Sequence, residues 1–216
     1  MTDFPGSPRL LKGGIVVIDP ESSAVLKVIP LQYNPESITR SLQVQALGDT
    51  GDVSEALRLK GPPVETIKLD AEIDGTDQME AGDSTIGDLG IQPQLAALEI
   101  LVYPTSASLL ANDRLAASGT LEVAPLEMPL TLFVWSKSRV VPVRLTEFSI
   151  TEEAFDPNLN PLRAKISLGM RVLSVTDVGF QHKAGTLYVA YQQEKERLAN
   201  VLPGAGLGIL GITRIP

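Results

Sequence analysis

The chain has 216 residues, 44% of them hydrophobic and 20% charged, with a formal net charge of −8, a single histidine and no cysteine. That is the balance of a globular protein long enough to bury a sizeable core. It argues against duplex nucleic acid, whose phosphates call for a basic patch, and it leaves disulfides, thiolate chemistry and a Cys/His zinc site without ligands.

"MTDFPGSPRLLKGG" lacks the apolar core of a signal peptide, and no apolar run approaches the roughly 20 residues of a membrane-spanning helix. A cytoplasmic protein that does not insert into membranes is expected. "GGIVVID" and "AVLKVIP" are two β-rich runs parted by "PESS", which predicts a hairpin. "NPES" is a turn, followed by a strand in which Ile38, Leu42 and Val44 share a parity. Residues 46–63 form a polar, Gly-rich loop. "VETIKLDAEIDGTD" alternates cleanly: Ile67, Leu69, Ala71 and Ile73 face one way, Lys68, Asp70, Glu72 and Asp74 the other. "GTDQMEAGDSTIGDLG" reads as a second acidic loop.

A helix is predicted in "IQPQLAALEILVYP", with Leu95, Leu98, Leu101 and Val102 at helical spacing and Pro93 in its first turn. "TSASLLANDRLAAS" adds a short second one. "PLTLFVWS", a "KS" turn and "RVVPVRLTEFSITEEA" return to β-structure. Val141, Val143 and Leu145 are in phase there, while Phe148 and Ile150 have the opposite parity, so a β-bulge is expected near Thr146. The rigid turn "DPNLNP" then leads into a strand with Ala164, Ile166, Leu168, Met170 and Val172 on one face. The chain closes with a helix over "KAGTLYVAYQQEKERLANV", whose apolar side is read as Leu187, Tyr191, Leu198 and Val201. A Gly-punctuated apolar arm follows. The fold class is therefore α+β, a mainly antiparallel barrel or sandwich. Residues 1–175 form its body and 176–216 a C-terminal helix and arm.

Little in the chain points to catalysis. No G-x-S-x-G elbow accompanies His182, for which a surface or capping place is expected. Asp74, Asp77, Glu80 and Asp83 lack the spacing of an EF-hand loop. "GAGLG" follows a helix and has no following Lys, unlike a phosphate-cradling loop. No cofactor, metal site or catalytic residue is assigned. Asp70, Glu72 and Asp74 read either as a solvated strand face or as a charged surface toward a channel or a neighbouring subunit.

"LQYNPESITRS", "LKGPPVETIKLDAEIDGTD", "LEILVYP" and "PLTLFVWSKSRVVPVRLTEFSITEEAFDPNLNPLRAKISLGMRVLS" occur in that order and spacing. Over residues 10–175 this series resembles the tube-like protein of contractile injection systems, the phage-tail-derived family of the antifeeding prophage and the Photorhabdus virulence cassettes. The resemblance implies a tail-tube barrel with a flanking helix and six copies closed into a ring. It also implies a structural role between spike and inner tube at the baseplate, within a bacterial injection particle. The implied partners are further copies of the chain, the inner-tube protein, the spike and baseplate components. The LysM domain common in that family has no counterpart in residues 176–216.

Candidate contact residues are Asp70, Glu72 and Asp74, the hairpin's Asn158 and Asn160, and Leu207, Ile209, Leu210 and Ile212 of the arm. Two strands, Glu65–Asp74 and Arg163–Leu173, are expected to leave edges for pairing between subunits. An ordinary inner-tube subunit, a carbohydrate- or peptidoglycan-binding module and a small carboxylate hydrolase are the alternatives.

Overall fold

A computed structural model describes residues 11–46, 58–80, 84–119, 128–204 and 206–215. Its centre is one antiparallel sheet of seven strands: β1 Gly14–Ile18, β2 Val25–Pro30, β3 Ile38–Gln43, β4 Val64–Asp74, β5 Leu130–Ser136, β6 Arg139–Phe155 and β7 Pro161–Val172. The order across the sheet is β2-β1-β5-β6-β7-β4-β3. The predicted alternation is present in β4 and β7. Ile67, Leu69, Ala71 and Ile73 are buried, as are Ala164, Ile166, Leu168, Met170 and Val172. The predicted bulge is there too. The β6–β7 register shifts between Leu145 and Glu147, leaving Thr146 unpaired and moving Phe148 and Ile150 into phase with the core face. Gly169 sits opposite Glu147, whose Cβ would lie 2.9 Å from any Cβ placed at 169.

β2 and β3 are consecutive in the chain yet lie at opposite edges of the sheet, joined by residues 31–37. So short a link requires the sheet to curl. Leu31 is buried in the same core as Phe133, Ile67 and Ile166. Its N–H donates to the carbonyl of Gly13 at 2.8 Å, and the Gly13 N–H donates to Asn34 Oδ1 at 2.9 Å. The Gln32 amide reaches across to β4, donating to the Asp74 carbonyl at 2.6 Å and accepting from its N–H at 2.9 Å. The result is a barrel whose wall stays incomplete between β2 and β4.

Helix α1 spans Thr76–Glu80, α2 Ser84–Leu89, α3 Gln92–Glu99, α4 Ser106–Ala117, α5 Val175–Val178 and α6 Lys183–Val201. Ile86, Ile91, Leu95, Leu98 and Leu101 carry α2, α3 and the α3 C-terminal turn into the core. Tyr188 and Tyr191 of α6 join it as well. Ala184 and Leu187 of the same helix pack instead with Ile18, Leu130 and Leu132 on the other face of β1 and β5. Both faces of those two strands are thus covered, which explains their near-continuous apolar runs.

The structure corrects four expectations. β7 is an interior strand, paired with β6 and β4 over most of its length, and the sheet ends in β2 and β3; β4 is paired on both sides only from Thr66 to Leu69, so the expected edge persists on β4 only beyond Leu69. Interior placement is what two strands with the same buried parity achieve by lying side by side. The segment read as a second acidic loop holds α1 and α2, because Ile86 is drawn into the core and winds the chain around itself. Its Asp83 lies outside the described residues, as does most of the loop read at 46–63. Val102, assigned to the apolar side of α3, is 38% exposed. On α6 the buried stripe is Ala184, Tyr188 and Tyr191; Leu198 and Val201 are 48% and 69% exposed because the helix runs on past the sheet.

Candidate assembly surfaces

The polar face of β4, β7 and β6 alternates in sign. Lys68 pairs with Glu147 at 2.6 Å and Lys165 with Glu153 at 3.0 Å, while Arg163 holds Asp74 at 2.8 Å and Glu72 at 3.8 Å. The Thr76 hydroxyl and N–H also donate to Asp74, and together with Arg163 they hold its carboxyl below the ordinary carboxylate range. Asp74 is thus committed to its own chain. Glu72 is exposed beside Arg163, and Asp70 is exposed with no ion-pair partner among the described residues.

The β6–β7 hairpin ends in a stiff five-residue tip, and the stiffness comes from Asp156. Its Oδ1 accepts from the N–H groups of Asn158 and Asn160, both at 2.8 Å, and Oδ2 accepts from Asn160 Nδ2 at 2.9 Å. These bonds lower its pKa, the Asn160 side chain contributing most. Asn160 also donates to the Asp88 carbonyl at 3.1 Å, and Ile91 N–H donates to the Pro161 carbonyl at 2.8 Å. Asn160 therefore ties the hairpin tip to the α2–α3 turn, while Asn158 stays exposed. The apolar groups at the tip are Phe155 and Leu159, 52% and 78% exposed. Leu159 stands at φ +67°, a backbone region that leucine seldom adopts, and its side chain is carried outward.

Three more apolar surfaces are uncovered. β2 exposes Val25, Leu26 and Val28 on both its faces, and the β3 side exposes Leu42, Val44 and Leu59. The arm forms one 3-10 turn, Leu207–Leu210, and leaves Leu207, Ile209, Leu210 and Ile212 at 37%, 78%, 73% and 42% exposure. Helix α4 buries none of its residues and exposes Leu109, Leu110 and Leu115.

One polar cluster is internal. Glu65, 3% exposed, accepts from Arg40 Nε at 2.9 Å and from the Tyr191 hydroxyl at 3.0 Å, and its other oxygen meets Lys195 Nζ at 3.1 Å. Lys195 also lies 3.9 Å above the Tyr191 ring. Burial alone would push the Glu65 carboxyl up; the hydrogen bond from Arg40 and the charge of Lys195 outweigh it and hold it low. Burial, reinforced by Glu65, raises the Tyr191 phenol to about 12. This cluster joins β3, β4 and α6 from inside. Its one signal in the sequence is that Glu65 shares the parity of Ile67 and Leu69.

His182 caps α6, its Nδ1 accepting from the Ala184 N–H at 3.1 Å. Among the described residues no group of three or more His, Asp or Glu side chains is placed to hold a metal ion, and no helix is long and apolar enough to cross a membrane.

No family model matches the chain, and no curated protein matches it. Among solved structures, it is similar to a chain in the tail of an empty GTA particle computed with helical refinement in C6 symmetry. The alignment covers 74% of this chain and 90% of that one, at 12% identity and a TM-score of 0.28. A score that low carries no argument about topology or role, and the α+β antiparallel fold rests on the strands and registers described above.

Proposed function

We propose that this chain is a non-enzymatic structural subunit of a phage-tail-like contractile particle. In this reading six copies form the ring that joins the spike to the inner tube at the baseplate and starts the tube. One observation carries the self-association. The curled sheet ends in two different uncovered edges, β2 with Val25, Leu26 and Val28, and β3 with Leu42. Exposed apolar edge strands recruit further strands, and two unlike patches on one subunit make the head-to-tail contact that closes a ring. The number six and the place between spike and tube come from the order of sequence segments that the chain shares with tube-like proteins. Negative-stain electron microscopy of the purified chain, with mass measured in solution, tests this. Rings of six with a central channel are expected. A monomer at high concentration, or a closed ring of another symmetry, refutes the proposal. Capping of pre-formed inner tube by such rings separates the joining role from that of an ordinary tube subunit, which would co-polymerise along the tube.

A further inference from the structure

The incomplete barrel wall is a slot with a defined chemistry. On β4, the N–H and C=O of Asp74 are met by the Gln32 amide. Backbone groups two residues apart along a strand point the same way. Those of Asp70 and Glu72 therefore face the slot. No described strand pairs with them there, since the β3–β4 register ends at Leu69. On the inner side a cavity of about 380 Å³ is floored by Leu31, Ala71, Ile73, Leu98, Ile166 and Leu168. The buried Oε1 of Gln94, another residue lining that cavity, has no hydrogen-bond partner. On the outer side of the same stretch a second cavity, of about 560 Å³, is lined by Tyr33, Glu36, Asp70, Glu72 and Lys165, the last paired with Glu153, so that the carboxylates set its sign. Unpaired peptide groups at the edge, apolar surface on one side and carboxylates on the other specify the occupant. It is an extended polypeptide with apolar side chains on its inner face and a cation on its outer face.

We propose that the slot receives the C-terminal arm of a second copy as an added β-strand. The arm presents four large apolar side chains that its own chain leaves uncovered, and between Leu202 and Pro216 its only ionisable side chain is Arg214. In an extended arm, Leu207 and Ile209 fall on one face, toward the apolar floor. Leu210, Ile212 and Arg214 fall on the other, toward Tyr33 and the carboxylates of Asp70, Glu72 and Glu36. The glycines at 206, 208 and 211 keep the arm narrow. Ordering so flexible a segment costs conformational entropy, and burial of apolar surface offsets it. The proposal deepens the self-association reading by naming one contact that it uses.

The chain has no cysteine, so paired cysteines report the contact on a clean background. Glu72→Cys and Gly208→Cys, both at exposed positions, are prepared as separate full-length proteins, mixed and oxidised. A disulfide-linked dimer carrying the 72–208 linkage by mass spectrometry is expected in the mixture and in neither protein alone. It should fall to background when the Gly208→Cys chain also carries Leu207→Asp and Ile209→Asp, which alter only side chains exposed in the free chain. It should also be missing when Lys137→Cys replaces Glu72→Cys. Rings by microscopy without the 72–208 linkage would overturn the arm contact and leave the ring reading intact. In a third protein that carries both Glu72→Cys and Gly208→Cys, linkage confined to single chains would overturn the second copy as the source of the arm. Neither rings nor linkage would overturn both readings.

Discussion

Removing the cations from Glu65 should reverse the sign of that residue's contribution to stability against pH. Glu65 is 3% exposed and held by Arg40, Lys195 and Tyr191. Breaking a buried pair by deleting one partner costs about 3–5 kcal/mol. Arg40→Met leaves Lys195 and Tyr191 in place, so the lower end applies, about 3 kcal/mol at pH 7. For a chain of this size that lowers Tm by about 6–12 °C.

The pH dependence follows from the direction of the shift. The folded carboxyl lies below its unfolded value. Its stabilisation is therefore present above the unfolded pKa, about 4.3, and is lost as pH falls through the folded pKa. In Arg40→Met with Lys195→Met, burial is opposed only by the hydrogen bond from the Tyr191 hydroxyl and raises the folded pKa above the unfolded one. The penalty is then full at high pH and shrinks as pH falls and Glu65 takes up a proton. Urea unfolding from pH 8 to pH 5 should show the stability gap between wild type and double variant narrowing toward acid. The same comparison on a Glu65→Gln background should show no pH trend. A gap that stays constant from pH 8 to pH 5 with Glu65 present would refute the assignment of Glu65 as a buried, charge-compensated carboxylate.

Two further outcomes test the strand and hairpin assignments. Leu168→Asp places an unpaired charge at a side chain 1% exposed and should cost more than about 4 kcal/mol, giving insoluble or unfolded protein, whereas exposed Lys165→Ser should stay within about 0.5 kcal/mol in urea unfolding. Equal tolerance of the two would mean that the parity of β7 is misassigned. Gly90→Ala forces a side chain into φ +60°, with its Cβ driven against the Pro161 carbonyl oxygen. A loss of more than about 1 kcal/mol is expected, with faster hydrogen exchange at Ile91, whose N–H donates to that carbonyl; unchanged exchange there would count against the hairpin tip being anchored on the α2–α3 turn.

What could be read from the chain alone was whatever local periodicity encodes. β4 and β7 show their buried faces because alternate side chains must go to opposite sides of a strand, and the bulge at Thr146 is visible as a slip in that same period. Pro93 marks the start of α3 through its missing N–H, and His182 stands where a cap is needed. Tertiary structure alone decided the neighbours. That β7 lies inside the sheet while β2 and β3 form its edges depends on pairings between strands remote in sequence, which no local pattern specifies. Glu65 can be buried only because Arg40 and Lys195, 25 and 130 residues away, arrive beside it. The face that α6 buries depends on where the sheet ends beneath it, so Tyr188 is covered while Leu198 and Val201 are left in the open. The slot has the same origin: a seven-residue link between opposite edges curls the sheet, and one glutamine side chain stands where a further strand would continue the wall.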